Sequence, residues 1–184
     1  MTGEPTAVAV LAAEVRRARE RPPALPPELA HLAPDGVLER LAVHESGHAI
    51  AELALGYDVA SASIEGSYDS GGRVIPRTPR AAPIRDRIIT LLAGGEAEKR
   101  GWPGLCFDEC SKLDALDLGD ARFFAAVSLE TLPTDPRVPG EVERWRPAAA
   151  RIVRRHFGWI ERVARELVAW RRVSGDRILQ LRGR

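Results

Sequence analysis

The spacing of apolar residues along the chain predicts mostly helix. The period of an amphipathic helix, with apolar positions every three or four residues, is present in four segments: residues 36–55, 84–100, 112–130 and 148–172. Residues 59–65 instead alternate apolar and polar, and a short apolar run follows at residues 73–75. Alternation is the period of a strand, so these two runs predict a hairpin with a long loop. The expected fold class is mainly α (α+β), with a small β-hairpin or sheet between the first two core helices.

Prolines divide the chain near its first core helix. Two proline pairs lie between residues 22 and 27, which forbids a helix and favours an extended linker. Asp35 follows and is a good N-cap for the helix behind it. We therefore expect an N-terminal segment with a proline-rich linker, residues 1–34, and a single domain, residues 35–184. From about residue 141 that domain should be helical and basic.

Length and composition limit the class of protein. The chain has 184 residues, a net charge of +1 and two cysteines. That length suits one domain, and the composition excludes a collagen-like, wholly disordered or disulfide-stapled chain. No apolar run approaches the roughly 20 residues of a transmembrane helix, and the early apolar run at residues 7–13 lacks the basic start of a signal peptide. We therefore expect a cytoplasmic protein with no membrane partner.

Arginine is concentrated at the C-terminal end. Residues 144–184 hold twelve arginines and three acidic residues, whereas the rest of the chain is acidic on balance. Such asymmetry is typical of surfaces that bind nucleic acid or an acidic partner. Because the arginines alternate with a clean apolar stripe, we interpret them as the solvated face of a helix. Nucleic acid is not expected as a partner, and an acidic partner stays an alternative.

One short motif carries the candidate chemistry. His44-Glu45-Ser46-Gly47-His48 lies within the first predicted helix, where residues four apart share a face. Both imidazoles can therefore reach one metal ion, and neutral imidazole suits zinc. Glu45 can reach a water on that metal without binding the metal itself, which is the zinc-peptidase arrangement. A catalytic zinc needs a third protein ligand and an open position for water, so the motif predicts Zn2+ and one further ligand.

Four segments together resemble a known family. Leu41-Ala42-Val43-His44-Glu45-Ser46-Gly47-His48-Ala49 resembles the zinc helix in the peptidase domain of FtsH-type AAA proteases. Residues 59–64 and 71–76 resemble the strand pair of that domain, and residues 91–98 resemble its Leu-Ala-Gly-Arg-Ala-Ala-Glu helix. Asp117-Leu118-Gly119-Asp120-Ala121 resembles the segment that carries the family's third zinc ligand. The sequence shows neither the family's membrane helices nor a phosphate-binding loop, so it resembles the peptidase domain alone, with a zincin-like helical fold.

The resemblance implies that Asp117 is the third ligand beside the two histidines. Ala121 and Ala125 follow it at helical spacing, and we expect this stripe of small residues to let their helix approach the zinc helix closely. Asp114, one turn earlier on nearly the same face, or another nearby acid stays an alternative. Gly119 is expected either to mark close packing or to start the helix.

These residues predict a zinc-dependent metallopeptidase in which Glu45 is the general base for a zinc-activated water. Without an unfolding motor, its substrates would be peptides or unfolded proteins, and a separate ATPase is a possible partner. The resemblance also implies that substrate adds as a strand beside residues 73–75. The alternative is a non-catalytic, zinc-stabilised binding or regulatory module that retains a metalloprotease fold.

Two further groups of reactive side chains are expected to carry less chemistry. Cys106 and Cys110 are four residues apart, a spacing that would allow a metal or redox role on a helix, but we interpret them as idle thiols. His156 lies on the apolar stripe of the long fourth helix and is interpreted as a packed histidine. Neither group is included in the predicted zinc site.

Overall fold

The computed structural model of the protein describes residues 37–64, 71–77, 82–103 and 107–183, with the side chains of residues 37 and 107–114 left out. In chain order its elements are α1 (Val37–Ala54), β1 (Val59–Ile64), β2 (Gly72–Pro76), α2 (Ile84–Gly101), α3 (Phe107–Ser128), α4 (Val138–Trp170), β3 (Arg172–Ser174), α5 (Gly175–Gln180) and a 3-10 turn (Leu181–Gly183). The fold is mainly helical with a small sheet, as predicted. The expected N-terminal segment, residues 1–34, lies outside the described residues.

Helix α1 is enclosed by the rest of the fold. Every residue from Leu41 to Ala51 is buried, whereas a surface helix buries one stripe. Helices α2 and α4 pack along it, and β1 and β2 lie against it. The approach of α2 is close: a Cβ added at Gly47 would lie 2.7 Å from the carbonyl oxygen of Ala93 and 2.9 Å from Cβ of Ala97. Only glycine at position 47 allows the two helices this separation.

The three strands form one antiparallel sheet in the order β2-β1-β3. In β1, Ser63 pairs with Arg73 of β2 on one side and with Arg172 of β3 on the other, while Ile64 pairs with Gly72. The predicted hairpin of β1 and β2 is therefore present. The three-residue strand β3 was not predicted, since so short a run has no readable alternation.

Helix α4 connects two hydrophobic cores. Its first half packs with α2 and α3 in a core that contains Ile88, Leu92, Ala121, Ala125, Val138 and Val142. Its second half packs with α1 and the sheet in a core that contains Leu41, Ile50, Val59, Ile64, Ile160 and Leu167. The helix departs from helical dihedrals at His156, with φ −115° and ψ 16°. Its exposed side carries Arg144, Arg151, Arg154, Arg155 and Arg165, a set we call the arginine face.

Two helices start earlier than their apolar period predicts. Helix α4 begins at Val138, ten residues before the predicted start, because Pro139 sits in its first turn, where a missing N–H costs nothing. Pro147 lies inside the same helix rather than ending a loop before it. Helix α3 begins at Phe107, five residues before the prediction. Neither start could be predicted from the apolar period, because the first turns contain few apolar residues and, in α4, a proline.

The stripe of small residues on α3 packs differently from our expectation. Ala121 and Ala125 are fully buried in the core shared with α2, beside Ile88 and Leu92, so the expectation that they bring α3 against the zinc helix is wrong. Gly119 lies within α3, exposed, and a Cβ added there would meet no atom within 4 Å. It therefore marks neither close packing nor a helix start.

Candidate metal centre

Three side chains from two helices converge on one point. His44 and His48 project from α1 one turn apart, and Asp117 reaches them from α3. The Nε2 atoms of the histidines are 2.9 Å apart, and Asp117 Oδ2 lies 2.8 Å from His44 Nε2 and 3.0 Å from His48 Nε2. These three atoms form a nearly equilateral triangle of the kind that three ligands make around one ion.

The far side of each imidazole ring is held by an acceptor. His44 Nδ1 lies 2.6 Å from Glu98 Oε1, and His48 Nδ1 lies 2.8 Å from the carbonyl oxygen of Thr90. A carboxylate and a carbonyl can only accept, so each Nδ1 carries the hydrogen and donates it. In neutral imidazoles this leaves both Nε2 atoms with lone pairs directed at the triangle. Carboxylate–histidine contacts of this kind orient the metal-binding histidines of zinc proteins.

With both imidazoles neutral, the triangle is therefore a concentration of acceptors without a donor. Two imidazole lone pairs and a carboxylate oxygen lie within 3.0 Å of one another, an arrangement that is unfavourable unless a cation or added protons sit among them. Imidazole nitrogen and carboxylate oxygen are both ligands of zinc. The donor set fits a metal ion, and the described residues supply three ligand atoms, one fewer than tetrahedral zinc takes.

Distances and charge both suit a divalent cation. Tetrahedral zinc, with bonds of 2.0–2.2 Å, separates its ligand atoms by about 3.3 Å, so the three atoms would have to move apart by a few tenths of an ångström. The carboxylate of Glu98 is paired with Arg40, whose guanidinium lies 3.1 Å from Oε2. The remaining carboxylates, Asp117 and Glu45, would be neutralised by two positive charges.

The pKa values in the metal-free protein follow from this concentration of acceptors. Burial lowers the pKa of His44, but hydrogen bonds with Asp117 and Glu98 outweigh burial and raise it to about 10. For His48, burial likewise lowers the pKa, and the charge of Asp117 and its hydrogen bond raise it on balance. Burial raises the pKa of Asp117, while the two histidines hold it well below its usual range. The surroundings thus stabilise positive charge at the point where the three side chains meet.

Glu45 lies beside the triangle without belonging to it. Glu45 is 6% exposed, and the backbone N–H of Gly72 donates to its carboxylate. Burial raises the pKa of Glu45, and the charges of the two histidines lower it by less, so the pKa stays above its ordinary value. A buried carboxylate that lies beside the two histidines and is not part of the donor triangle suits a group that accepts and releases a proton.

Two glycines make room for these side chains. A Cβ added at Gly94 of α2 would lie 2.6 Å from His48 Nε2 and 2.7 Å from His44 Nε2. A Cβ added at Gly72 of β2 would lie 2.2–2.7 Å from three side-chain atoms of Glu45. Any side chain at position 94 would intrude on the ligand atoms, and any side chain at position 72 would displace the candidate base.

Sequence reasoning identified the three candidate ligands and missed the groups that hold their side chains in place. Glu98 is fully buried and contacts His44, yet we assigned it no role from the sequence. One signal was present: Leu91, Gly94 or Gly95, and Glu98 share the spacing of the apolar stripe of α2, so a carboxylate falls on a buried face. Arg40 stands four residues before His44, on the same face of α1, where it could be expected to pair with such a carboxylate.

The other predicted candidates lie apart from the triangle or outside the described side chains. The structure brings Asp117 to the two histidines, and the side chain of Asp114 is among those it leaves out. Cys106 lies outside the described residues, as does the side chain of Cys110. His156 is on α4, its ring centroid 6.0 Å from that of Trp159.

Comparison with known proteins adds no assignment. No family model matches the chain, and no curated protein matches it. The resemblance to FtsH-type peptidase domains therefore stays a hypothesis carried by the segments quoted above. None of the described helices is long and apolar enough to cross a membrane.

Proposed function

We propose that the protein is a zinc-dependent metallopeptidase that hydrolyses peptide bonds in flexible or unfolded polypeptides. The observation that supports the proposal most is the convergence of His44 Nε2, His48 Nε2 and Asp117 Oδ2 within 3.0 Å, with both imidazole Nδ1 atoms already donating elsewhere. Three protein ligands are what a catalytic zinc takes, whereas structural zinc sites take four.

Glu45 supports catalysis over a purely structural role. A zinc ion held by these ligands would lower the pKa of a bound water toward 7 and polarise the substrate carbonyl. Glu45 would accept the proton from the attacking water and deliver it to the leaving nitrogen. Its burial and the backbone N–H of Gly72, which donates to it, keep this carboxylate beside the site. A metal centre that served only stability would have no need of Glu45.

The position of β2 supports a polypeptide substrate. This strand is at one edge of the sheet in the order β2-β1-β3, and its first residue, Gly72, contacts Glu45. An extended chain that paired with the side of β2 to which no described strand is bonded would run past Gly72 and so close to Glu45. Strand addition recognises backbone rather than a particular side chain, and it requires an unfolded stretch of substrate.

The test compares the wild type with Glu45→Gln, each loaded with zinc and incubated with casein-like unstructured proteins. Glu45→Gln should retain about one zinc per chain and lose cleavage by the 10²–10⁴-fold typical of a missing general base. Glu39→Gln, on the exposed first turn of the same helix, is the matched control and should cleave like the wild type.

Two results would contradict the proposal. If the zinc-loaded wild type and Glu45→Gln are equally inert on a broad panel of unstructured substrates, the non-catalytic, zinc-stabilised module becomes the better account. If both cleave equally and a chelator has no effect, the activity does not come from this centre.

A further inference from the structure

The strand nearest the candidate base turns alternate side chains to opposite faces of the sheet. Gly72 meets Glu45, and Val74 packs against the core shared by α1 and the sheet. Because side chains alternate along a strand, Arg73 and Ile75 point to the outer face. Arg73 is exposed and follows directly after the residue that contacts Glu45.

The register places two arginines in one row across the outer face. Arg73 of β2 pairs with Ser63 of β1, and Ser63 pairs with Arg172 of β3. Arg172 donates from Nη2 to Ser61 Oγ at 3.2 Å, which keeps its guanidinium over the sheet. The row therefore presents positive charge on both sides of a serine.

Among the described residues, neither arginine of this row takes part in an ion pair. Arg77, just beyond β2, is paired with Asp176. Within the same described part, the guanidinium of Arg73 takes part in no ion pair with a neighbouring carboxylate. A chain added at the edge of β2 would meet Arg73 first and Arg172 one strand further away.

We propose that Arg73 is a specificity-determining residue that selects substrates with an acidic side chain within two residues of the scissile bond. This inference rests on the proposed peptidase function. Side chains directly opposite on neighbouring antiparallel strands have Cβ atoms about 4.5–5.5 Å apart, where opposite charges attract and like charges repel. An aspartate or glutamate opposite Arg73 would form such a pair, and a lysine or arginine there would be repelled.

Charge reversal at position 73 tests the inference. The probe is a short unstructured peptide that carries one Glu, Gln or Lys, moved position by position along its sequence. We expect zinc-loaded wild type to prefer Glu over Lys about two- to fivefold in kcat/KM, at positions that recur with a period of two. Arg73→Glu should reverse that preference. Arg151→Glu makes the same change on the arginine face of α4 and should leave it intact.

The outcomes separate this inference from the proposed function. Cleavage by the wild type with an unchanged preference in Arg73→Glu would overturn the role of Arg73 and leave the peptidase intact. If no peptide is cleaved, the peptidase proposal fails. Fluorescence anisotropy with the same peptides and zinc-loaded Glu45→Gln then decides the role of Arg73, and equal binding of the Glu and Lys peptides would overturn it.

Discussion

The candidate metal centre and the arginine face of α4 use charged residues in opposite ways. At the centre, His44, Glu45 and Glu98 are at most 6% exposed, and His44 Nδ1 donates to Glu98 Oε1 at 2.6 Å. On the arginine face, the guanidinium of Arg144 is exposed and lies 3.5 Å from a carboxylate oxygen of Glu141. Exposed pairs of this kind contribute at most about 1 kcal/mol, whereas a buried polar group left without a partner costs more.

The difference shows which charges this fold needs. The arginines of α4 lie opposite a continuous apolar stripe that buries residues such as Val153, Ile160 and Leu167, so the helix needs no particular polar contact on its outer side. The centre instead sits where α2 packs so closely on α1 that a glycine is required, and the side chains of His44 and His48 are only 3% and 11% exposed. Most of the stabilisation of these groups must therefore come from the protein. We therefore expect substitutions at the centre to alter metal binding strongly and matched substitutions elsewhere to alter it little.

The largest effect is expected from removing a ligand histidine. His44→Ala or His48→Ala should lower bound zinc from about one per chain to none, because two protein ligands no longer hold a catalytic zinc. His156→Ala removes a histidine from α4 and should leave zinc content unchanged. Elemental analysis of the purified variants measures this, and full zinc retention in both ligand variants would refute the centre.

The next largest difference in zinc affinity is expected between two glycine substitutions, Gly94→Ala and Gly119→Ala. Gly94→Ala puts a Cβ within 2.7 Å of both ligand nitrogens, so zinc affinity should fall further than the 10–100-fold usual for loss of an outer partner. Gly119→Ala enters open space on α3 and should stabilise the protein by up to about 1 kcal/mol through helix propensity. Chelator competition and thermal unfolding measure the two effects; equal zinc affinity in both variants would mean that α2 does not crowd the ligands.

A smaller loss of zinc affinity is expected from a change at Glu98, whose carboxylate contacts His44 Nδ1. Glu98→Gln keeps the shape of the side chain but removes the charge that orients the imidazole, so zinc affinity should fall about 10–100-fold. Glu96→Gln, on the same helix, removes a carboxylate that binds Lys99 and Arg146 nearer the surface, and should not change zinc affinity. Competition with a chromogenic chelator compares the two, and matched affinities would contradict a positioning role for Glu98.

How far the sequence predicted this centre depends on how local each contact is. His44, Glu45 and His48 lie within one helical turn, so spacing alone was enough. Asp117 came from the resemblance, and our packing reason for it was wrong, since Ala121 and Ala125 pack against α2. Contacts that join residues distant in sequence, such as Glu98 with His44, have no local pattern.

The same limit applies to the fold: elements with a local sequence pattern were predicted, and the others were not. Helix α1 and the β1–β2 hairpin follow from their own periodicity, and both are present within a residue or two of the prediction. The early start of α4 was missed because a proline in a first turn and a proline in a loop have the same local signal. Strand β3 forms only because α4 ends at Trp170 and returns the chain beside β1.

The smallest effect concerns the carboxylate of Asp135, just before α4. Hydrogen bonds from the side chain and backbone N–H of Arg137, and from Thr131, hold the pKa of Asp135 well below its usual range. A lowered pKa in the folded state means that this stabilisation is present above the unfolded pKa of about 3.9 and is lost as pH falls below it. Wild type should therefore be slightly more stable than Asp135→Asn at neutral pH, and the difference should vanish in acid. Urea unfolding at several pH values measures it; a difference that grew in acid would contradict the assignment.

The central claim, that a metal held by His44, His48 and Asp117 carries peptide hydrolysis, is tested most directly by adding zinc stepwise to the metal-free protein. Bound zinc and the cleavage rate of an unstructured peptide are followed in the same sample. We predict that both rise together and stop at one zinc per chain, and that Asp117→Asn abolishes both at the same zinc concentrations. Cleavage that is complete before zinc is added, or zinc that binds without producing any cleavage, would contradict the account.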